Sequence, residues 1–174
     1  MRPGAAVVEL GSWPGGWLQV LAACVGSQGR VVGVDTRPLD PLGEPVRLLE
    51  LDFTHPEAPE RVAEALSRPA DAVLSDAAPH LTGVREVDRA ALEELQEAAL
   101  AVADRALRPG GGLVLKGFPG PESDRMRKLL RSRFGTVSEV RPEGKRSTSN
   151  EFYWVVGGGR SRPSRRRTRR GRTA

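Results

Sequence analysis

Short apolar runs alternate with longer segments of helical periodicity along most of the chain. The apolar runs predict strands at residues 6–10, 30–35, 46–51, 71–75, 112–116, 136–140 and 151–156. The segments between them predict helices over residues 17–25, 56–66, 88–107 and 123–134. In the longest of these, which we expect Asp88 to cap, apolar residues recur at steps of three and four from Leu92 to Ala106. That spacing is typical of one buried helix face.

The alternation of strands and helices predicts an α/β fold in which helices cover both faces of a mostly parallel, seven-stranded sheet. Only a polar loop separates the last two strands, so we expect them to form a C-terminal antiparallel hairpin. A chain of 174 residues is long enough for one domain. We assign that domain to residues 1–157, and we expect residues 158–174 to be a disordered tail of low complexity.

Charged residues follow four neighbouring strands where each strand ends. Asp35, Asp52 and Asp76 close the second, third and fourth strands, and Lys116 closes the fifth. Any one of these acids alone could be a helix cap or a solvated loop residue. Because the carboxyl ends of parallel strands meet at one edge, we expect the four side chains to share a site there.

The segment from Val7 to Trp17 has the pattern of a strand, a turn rich in glycine and proline, and a helix. The free backbone N–H groups of such a helix start attract anionic or polar ligand groups. In a dinucleotide fingerprint the three glycine positions would fall on Gly11, Trp13 and Gly16, and an indole at the middle position obstructs a pyrophosphate. The lysine and hydroxyl residue of a P-loop are also missing. A ligand with an adenosine and an amino-acid end but no phosphate remains, and S-adenosyl-L-methionine (SAM) meets that description.

Charge is distributed unevenly along the chain. The formal net charge is +5, but eight arginines and no acid lie in residues 160–174, which leaves residues 1–159 with a net charge of −3. A basic tail of this kind is typical of proteins that bind a polyanion such as RNA, and a solvated tail without function is the alternative. The single cysteine, Cys24, lies in an apolar helical pattern and is expected to fill the core. It excludes a disulfide within the chain, and no apolar run reaches the ~20 residues of a membrane span, so we expect a cytoplasmic protein.

Six segments, taken in order, carry a resemblance to a known family: VVELGSWPGGW, GVD, LELDF, LSDAAP, GLVLKGF and KRSTSNEFY. They resemble the RrmJ/FtsJ family of ribosomal RNA 2′-O-ribose methyltransferases over residues 3–157. The resemblance implies a Rossmann-like class I methyltransferase fold and SAM as cofactor. It also implies RNA as partner, with large-subunit ribosomal RNA or the ribosomal subunit as the expected substrate, and neither a metal nor a membrane partner.

The resemblance also assigns site residues. It implies a cofactor site formed by Gly11, Pro14, Gly15, Gly16, Trp17, Asp35, Asp52, Phe53 and Asp76. In that site Asp35 would hold the ribose hydroxyls, Asp52 with Phe53 the adenine, and Asp76 would approach the methyl-donor end. RNA contacts are expected at Arg146 and Tyr153 by resemblance. The basic tail adds Arg165, Arg166 and Arg167 as expected RNA contacts.

The family uses a Lys-Asp-Lys-Glu tetrad, and Asp76, Lys116 and Glu151 match its last three members. An ammonium beside carboxylates can position a 2′-hydroxyl and stabilise developing negative charge on its oxygen. The alternative role for Lys116 is that of a general base. We favour positioning and electrostatic stabilisation.

The chain departs from the family pattern at its beginning. The first tetrad lysine and the N-terminal helix that carries it precede the first strand in the family, and we expect both to be absent here. Three alternative explanations account for that difference: the gene start is misplaced, the family helix is dispensable in this protein, or the protein has lost catalysis. Two main hypotheses therefore stay open: a SAM-dependent 2′-O-methyltransferase, or a catalytically impaired relative that binds RNA or the ribosome. A methyltransferase for a small molecule or a protein is a third. Trp13 also replaces a usual small residue and is expected to narrow the methionine pocket.

Overall fold

The computed structural model describes residues 1–142 and 151–157. Its strands are β1 (Ala6–Leu10), β2 (Arg30–Asp35), β3 (Val46–Glu50), β4 (Ala70–Ser75), β5 (Leu107–Gly117), β6 (Val137–Val140) and β7 (Phe152–Val156). Its helices are α1 (Gly16–Val25), α2 (Ala58–Leu66), α3 (Arg85–Ala106) and α4 (Pro121–Phe134). In the described part of the chain, no helix combines the length and apolar character that crossing a bilayer requires.

The seven strands form one sheet in the order β3-β2-β1-β4-β5-β7-β6. Strands β1 to β5 pair in parallel, and β7 lies antiparallel between β5 and β6. The predicted α/β architecture with its antiparallel C-terminal pair is therefore confirmed. The chain first moves outward from β1 to β3 and then returns to place β4 on the other side of β1. Such a reversal opens a crevice at the carboxyl ends of the two central strands, where ligands bind in this class of sheet.

Each face of the sheet buries its own apolar cluster. On one face, Leu18, Leu21 and Val25 of α1 pack with Val7 and Val31 of the central strands. The larger cluster on the opposite face takes its buried residues from α2, α3 and α4 together with the alternate residues of the strands. The period of two along each strand explains this division, because successive side chains point to opposite faces.

Two local predictions were wrong. Helix α3 begins at Arg85, so Asp88 lies inside its first turn and does not cap it. The Asp88 carboxylate instead reaches back to the preceding loop, where it accepts hydrogen bonds from the backbone N–H groups of Thr82 at 2.7 Å and Gly83 at 3.2 Å. Cys24 is exposed, because the buried stripe of α1 falls on other positions of the helix.

Asp71 links neighbouring strands at the amino-terminal edge of the sheet, opposite the edge that carries the crevice. Its carboxylate accepts hydrogen bonds from the backbone N–H of Ala6 at 3.0 Å, from Arg108 Nε at 2.8 Å and from Arg2 at 3.2 Å. Burial of the carboxyl opposes its ionisation, but these donors outweigh burial and hold the pKa of Asp71 at about 2. The contacts join the start of β1 to β4 and β5, at the end of the strands opposite the crevice.

Candidate functional site

A cavity of about 640 Å³ lies at the carboxyl edge of the sheet. Asp35, at the end of β2, and Asp76, directly after β4, both line it, as does Asp52, two residues beyond the end of β3. The backbone N–H of Asp76 donates to the carbonyl of Leu10 at 3.1 Å, which ties the end of β4 to that of β1. The parallel arrangement thus brings the three predicted acids to one wall.

Lys116 connects β5 to this wall. Its Nζ lies 2.8 Å from Asp76 Oδ1 and 3.5 Å from Glu151 Oε2, and it donates to the Asp76 carbonyl at 3.1 Å. Lys116 is only 8% exposed, so the ammonium is drawn out of water and its charge is balanced by the two carboxylates. The structure therefore brings the three predicted catalytic residues, Asp76, Lys116 and Glu151, into one cluster.

Tyr153 completes the cluster from the adjacent strand. It pairs with Lys116 in the β5–β7 register, and its hydroxyl donates to Asp76 Oδ1 at 2.5 Å. Its ring lies 5.6 Å from that of Trp17, between ring centroids. Burial raises the pKa of the Tyr153 hydroxyl, and the hydrogen bond to Asp76 and the charge of that carboxylate raise it further. Tyr153 is 8% exposed, so its hydroxyl is engaged within the cluster.

The two acids nearer the outer strands are held by neighbouring backbone donors. The Asp35 carboxylate accepts from the N–H of Trp13 at 2.9 Å through Oδ2 and from the N–H of Arg37 at 3.0 Å through Oδ1. Asp52 accepts at Oδ1 from the Thr54 hydroxyl and the Thr54 N–H. These two bonds lower the pKa of Asp52. Both carboxylates are therefore fixed in orientation before a ligand arrives.

Glycines allow the turn before α1 to pass close to its neighbours. Gly11 has φ +78°, and a side chain there would come within 2.8 Å of the Ala77 backbone. Gly15, at φ +96°, is covered by Leu39, whose Cδ2 would lie 3.3 Å from an added Cβ. Gly11 and Phe53 line the cavity. The other predicted cofactor residues of this segment lie in the turn and first helical residues outside that lining, namely Pro14, Gly15, Gly16 and Trp17.

Glu9 is a buried acid inside β1 whose environment the sequence did not predict. It is 2% exposed, and its Oε2 has no hydrogen-bond partner among the described residues. Burial raises the pKa of Glu9 to about 8, with further contributions from the negative charges of Asp76 and Asp35. The available signal was an acid within the otherwise apolar run VVEL, which is unusual for a buried strand.

The sequence also missed residues that complete the cavity wall. Arg37 and Thr54 follow strands β2 and β3, whereas Glu94 and Leu95 come from α3, about three turns after its start. No sequence signal marked the α3 residues, because their position depends on how that helix packs on the sheet. The Trp13 ring stacks on Arg37 beside Asp35. Four predicted RNA contacts lie outside the described residues: Arg146, Arg165, Arg166 and Arg167.

A family profile described as FtsJ-like methyltransferase matches residues 1–159. The chain belongs to the FtsJ-like methyltransferase family. This family membership agrees with the resemblance carried by the PGGW turn, the SDAAP segment and the last strand.

Curated relatives of this FtsJ-like chain share a common name, Ribosomal RNA large subunit methyltransferase E. The protein of that name from Halorhodospira halophila is 44% identical over 158 residues, which cover 90% of this chain and 74% of the relative. The one from Anaeromyxobacter sp. is 42% identical over 167 residues, covering 95% of this chain and 60% of the relative.

Solved structures show the same fold at low sequence identity. A Plasmodium falciparum protein described as a ribosomal RNA methyltransferase superposes with a TM-score of 0.77 at 20% identity, covering 91% of this chain and 88% of that one. The MycE methyltransferase of the mycinamycin pathway, in complex with Mg and SAH, superposes with a TM-score of 0.61 at 19% identity. That match covers 92% of this chain and 47% of MycE.

Proposed function

We propose that this FtsJ-like chain transfers a methyl group from SAM to a ribose 2′-hydroxyl of RNA, with large-subunit ribosomal RNA as the substrate. One observation carries the proposal: the buried Lys116 ammonium lies against Glu151 and against Asp76, and Asp76 itself lines the cavity. The names of the curated relatives support the substrate class. The methyltransferase family supports SAM as the donor.

The cavity suits this cofactor by size and by charge. A volume of about 640 Å³ is in the range of small-molecule sites. Its wall carries four acids, Asp35, Asp52, Asp76 and Glu94, and Arg37 is the one arginine or lysine among the described residues that line it. An acidic wall favours a ligand with hydroxyls and positive charge over one with phosphates.

We assign the parts of the wall from this chemistry and from the resemblance. Asp35 would accept the ribose hydroxyls, Asp52 with Phe53 would bind the adenine, and Asp76 would face the amino-acid end that bears the reactive group. The turn from Gly11 to Trp17 would border the site through Gly11 and Trp13, and Pro14, Gly15, Gly16 and Trp17 would support the cofactor from behind that lining. When bound, SAM supplies an activated methyl group.

The chain's own residues then act on the acceptor hydroxyl. Lys116 Nζ would donate to the 2′-oxygen as negative charge develops there, and its position is set by Asp76 and Glu151. The carboxylates of Asp76 and Glu151 offer acceptor oxygens to the hydroxyl proton. Tyr153 restrains the Asp76 carboxylate through its hydroxyl. Orientation and electrostatic stabilisation supply most of the rate enhancement in this proposal.

Arginines outside the cavity wall would bind the RNA and bring its ribose to the cluster of Lys116, Asp76 and Glu151. The described cavity wall is acidic, whereas residues 160–174 carry eight arginines. We propose that the tail, including Arg165 to Arg167, and Arg146 bind RNA phosphates, and that Tyr153 lies close to the acceptor nucleotide. Residues 1–157 form the methyltransferase domain in this proposal, and residues 158–174 act as its RNA-binding arm.

Transfer of label from methyl-tritiated SAM to ribosomal RNA tests the function directly. RNA from a strain that lacks the gene is incubated with the purified chain and digested to nucleosides. We expect label on the ribose of a nucleoside. Alkaline hydrolysis of the same labelled RNA should leave the label in dinucleotides, because a 2′-O-methyl group blocks cleavage of the adjacent 3′ phosphodiester. Label on a base would contradict the 2′-O assignment. RNA binding without any label would instead support the impaired, RNA-binding alternative.

A further inference from the structure

An arginine and a tryptophan from different parts of the chain stack at the border of the cavity. The guanidinium carbon of Arg37 lies 3.9 Å from the centroid of the Trp13 ring. Trp13 belongs to the turn before α1, and Arg37 lies in the loop after β2. Both residues line the cavity, although Trp13 is 46% exposed and the Arg37 side chain is 52% exposed.

The same two residues hold Asp35 from both sides. The Trp13 N–H donates to Oδ2 and the Arg37 N–H to Oδ1, while Arg37 Nε lies 3.5 Å from Oδ1. The stack therefore joins the two backbone segments whose N–H groups orient this carboxylate. If the stack were lost, each segment could move independently, and the orientation of Asp35 would loosen.

The position of the stack indicates that it helps to bind the cofactor and does not bind RNA. Its backbone groups bond Asp35, which is 7% exposed and lies in the cavity wall. The other acids of that wall repel a phosphate backbone. A half-exposed indole covered on one face by a guanidinium presents a flat, water-excluding border, which suits a sugar ring.

We propose that Trp13 and Arg37 form a clamp at the ribose end of the methyl-donor site. The clamp orients the Asp35 carboxylate toward the ribose diol and covers the outer side of the bound sugar. Both are positioning and binding residues, since neither contacts the Lys116 cluster in the described structure. The inference rests on the proposed function, because it takes SAM as the ligand.

Titration calorimetry with SAM tests the clamp on the full-length chain. We expect Trp13→Ala and Arg37→Ala each to weaken SAM binding about three- to tenfold, since either change removes the stack. The double variant should bind no more weakly than about the worse single variant, because the two residues act through one contact. Trp13→Phe should retain most of the affinity. Arg125→Ala is the matched control and should bind as the wild type does, because it removes an exposed arginine of α4 that pairs with Glu93 of α3.

A second ligand separates a clamp from a general structural effect. S-adenosylhomocysteine and its 2′,3′-dideoxy analogue differ only in the hydroxyls that Asp35 would bind. We expect Trp13→Ala to reduce the preference for the hydroxylated ligand, whereas a merely structural defect would weaken both ligands equally. Melting curves establish that each variant is folded, and Arg37→Ala serves if Trp13→Ala does not fold.

The outcomes separate the clamp from the function on which it rests. SAM affinity within about twofold of wild type in both single variants, with Asp35→Ala impaired, overturns the clamp and leaves the function standing. A loss of RNA affinity with SAM affinity intact also overturns it and identifies the stack as a nucleotide-binding surface. If the wild-type chain binds no SAM, the proposed function fails and the clamp fails with it.

Discussion

Lys116 Nζ lies 2.8 Å from Asp76 Oδ1, although the two residues are 40 positions apart in the chain. The parallel pairing of β4 and β5 produces this contact, because Ser75 and Leu115 are directly opposed in the register. The residue that follows each of them therefore reaches the same edge at the same height.

Replacement of Lys116 by alanine tests the catalytic cluster. We expect turnover to fall at least about 100-fold, since a positioned cation for the developing charge is lost, while SAM binding changes little. Single-turnover kinetics and calorimetry with SAM measure the two quantities. Lys128→Ala on the exposed side of α4 is the matched lysine control and should keep full activity. A fully active Lys116→Ala enzyme would remove Lys116 from the mechanism.

Tyr153→Phe tests the restraint on Asp76. The hydroxyl is lost but the ring keeps its packing on Trp17, so the fold should persist. We expect kcat to fall about 5- to 30-fold, corresponding to one hydrogen bond to a charged group, with SAM affinity within about twofold of wild type. If the KM for RNA rises and kcat stays unchanged, Tyr153 acts on RNA binding and not through Asp76.

Glu9 should make the stability of the protein fall as pH rises. Its pKa is raised to about 8 by burial and by the nearby charges of Asp76 and Asp35, above the ordinary value of 4.5. The folded state therefore keeps a proton that the unfolded state releases between these values. The stabilisation is complete below pH 4.5 and is lost as pH rises through about 8. Glu9→Gln should remove this dependence, and melting curves between pH 5 and pH 9 would show equal slopes for both proteins if the idea is wrong.

Asp71 should have the opposite pH dependence. Its folded-state pKa of about 2 lies below the ordinary value of 3.8, so its contribution is present above pH 4 and disappears as pH falls toward 2. We expect Asp71→Asn to lower the free energy of unfolding by about 2 kcal/mol at pH 7. The expected loss vanishes near pH 2, and SAM affinity should not change. Denaturant unfolding measures the difference, with the exposed Asp40→Asn as control. A loss that is the same at pH 2 and pH 7 would contradict the electrostatic explanation.

Removal of residues 158–174 should weaken RNA binding without affecting the cofactor. Eight arginines are lost with residues 160–174, so the slope of log affinity against log salt should become shallower, by close to one unit for each phosphate contact removed. SAM affinity should stay within about twofold of wild type. A chain that loses SAM binding on truncation would show that the tail belongs to the folded domain.

The amino-acid sequence by itself determined the order of the elements and the edge at which the acids meet. Strands of period two and helices of period 3.6 are local patterns, and the carboxyl ends of parallel strands must lie at one edge. Asp35, Asp52, Asp76 and Lys116 could therefore be placed together from their positions after four strands. The family resemblance added the expected roles of these residues.

Only the tertiary structure decided which side chains meet across that edge. The insertion of β7 between β5 and β6 puts Tyr153 opposite Lys116, and the packing of α1 leaves Cys24 exposed. The tertiary structure alone also creates the buried environment that raises the pKa of Glu9 and the stack between Trp13 and Arg37. These contacts join segments distant in sequence, and local periodicity indicates which face of an element is apolar but not what packs against it. The pairing register and the packing of helices on the sheet supply that information.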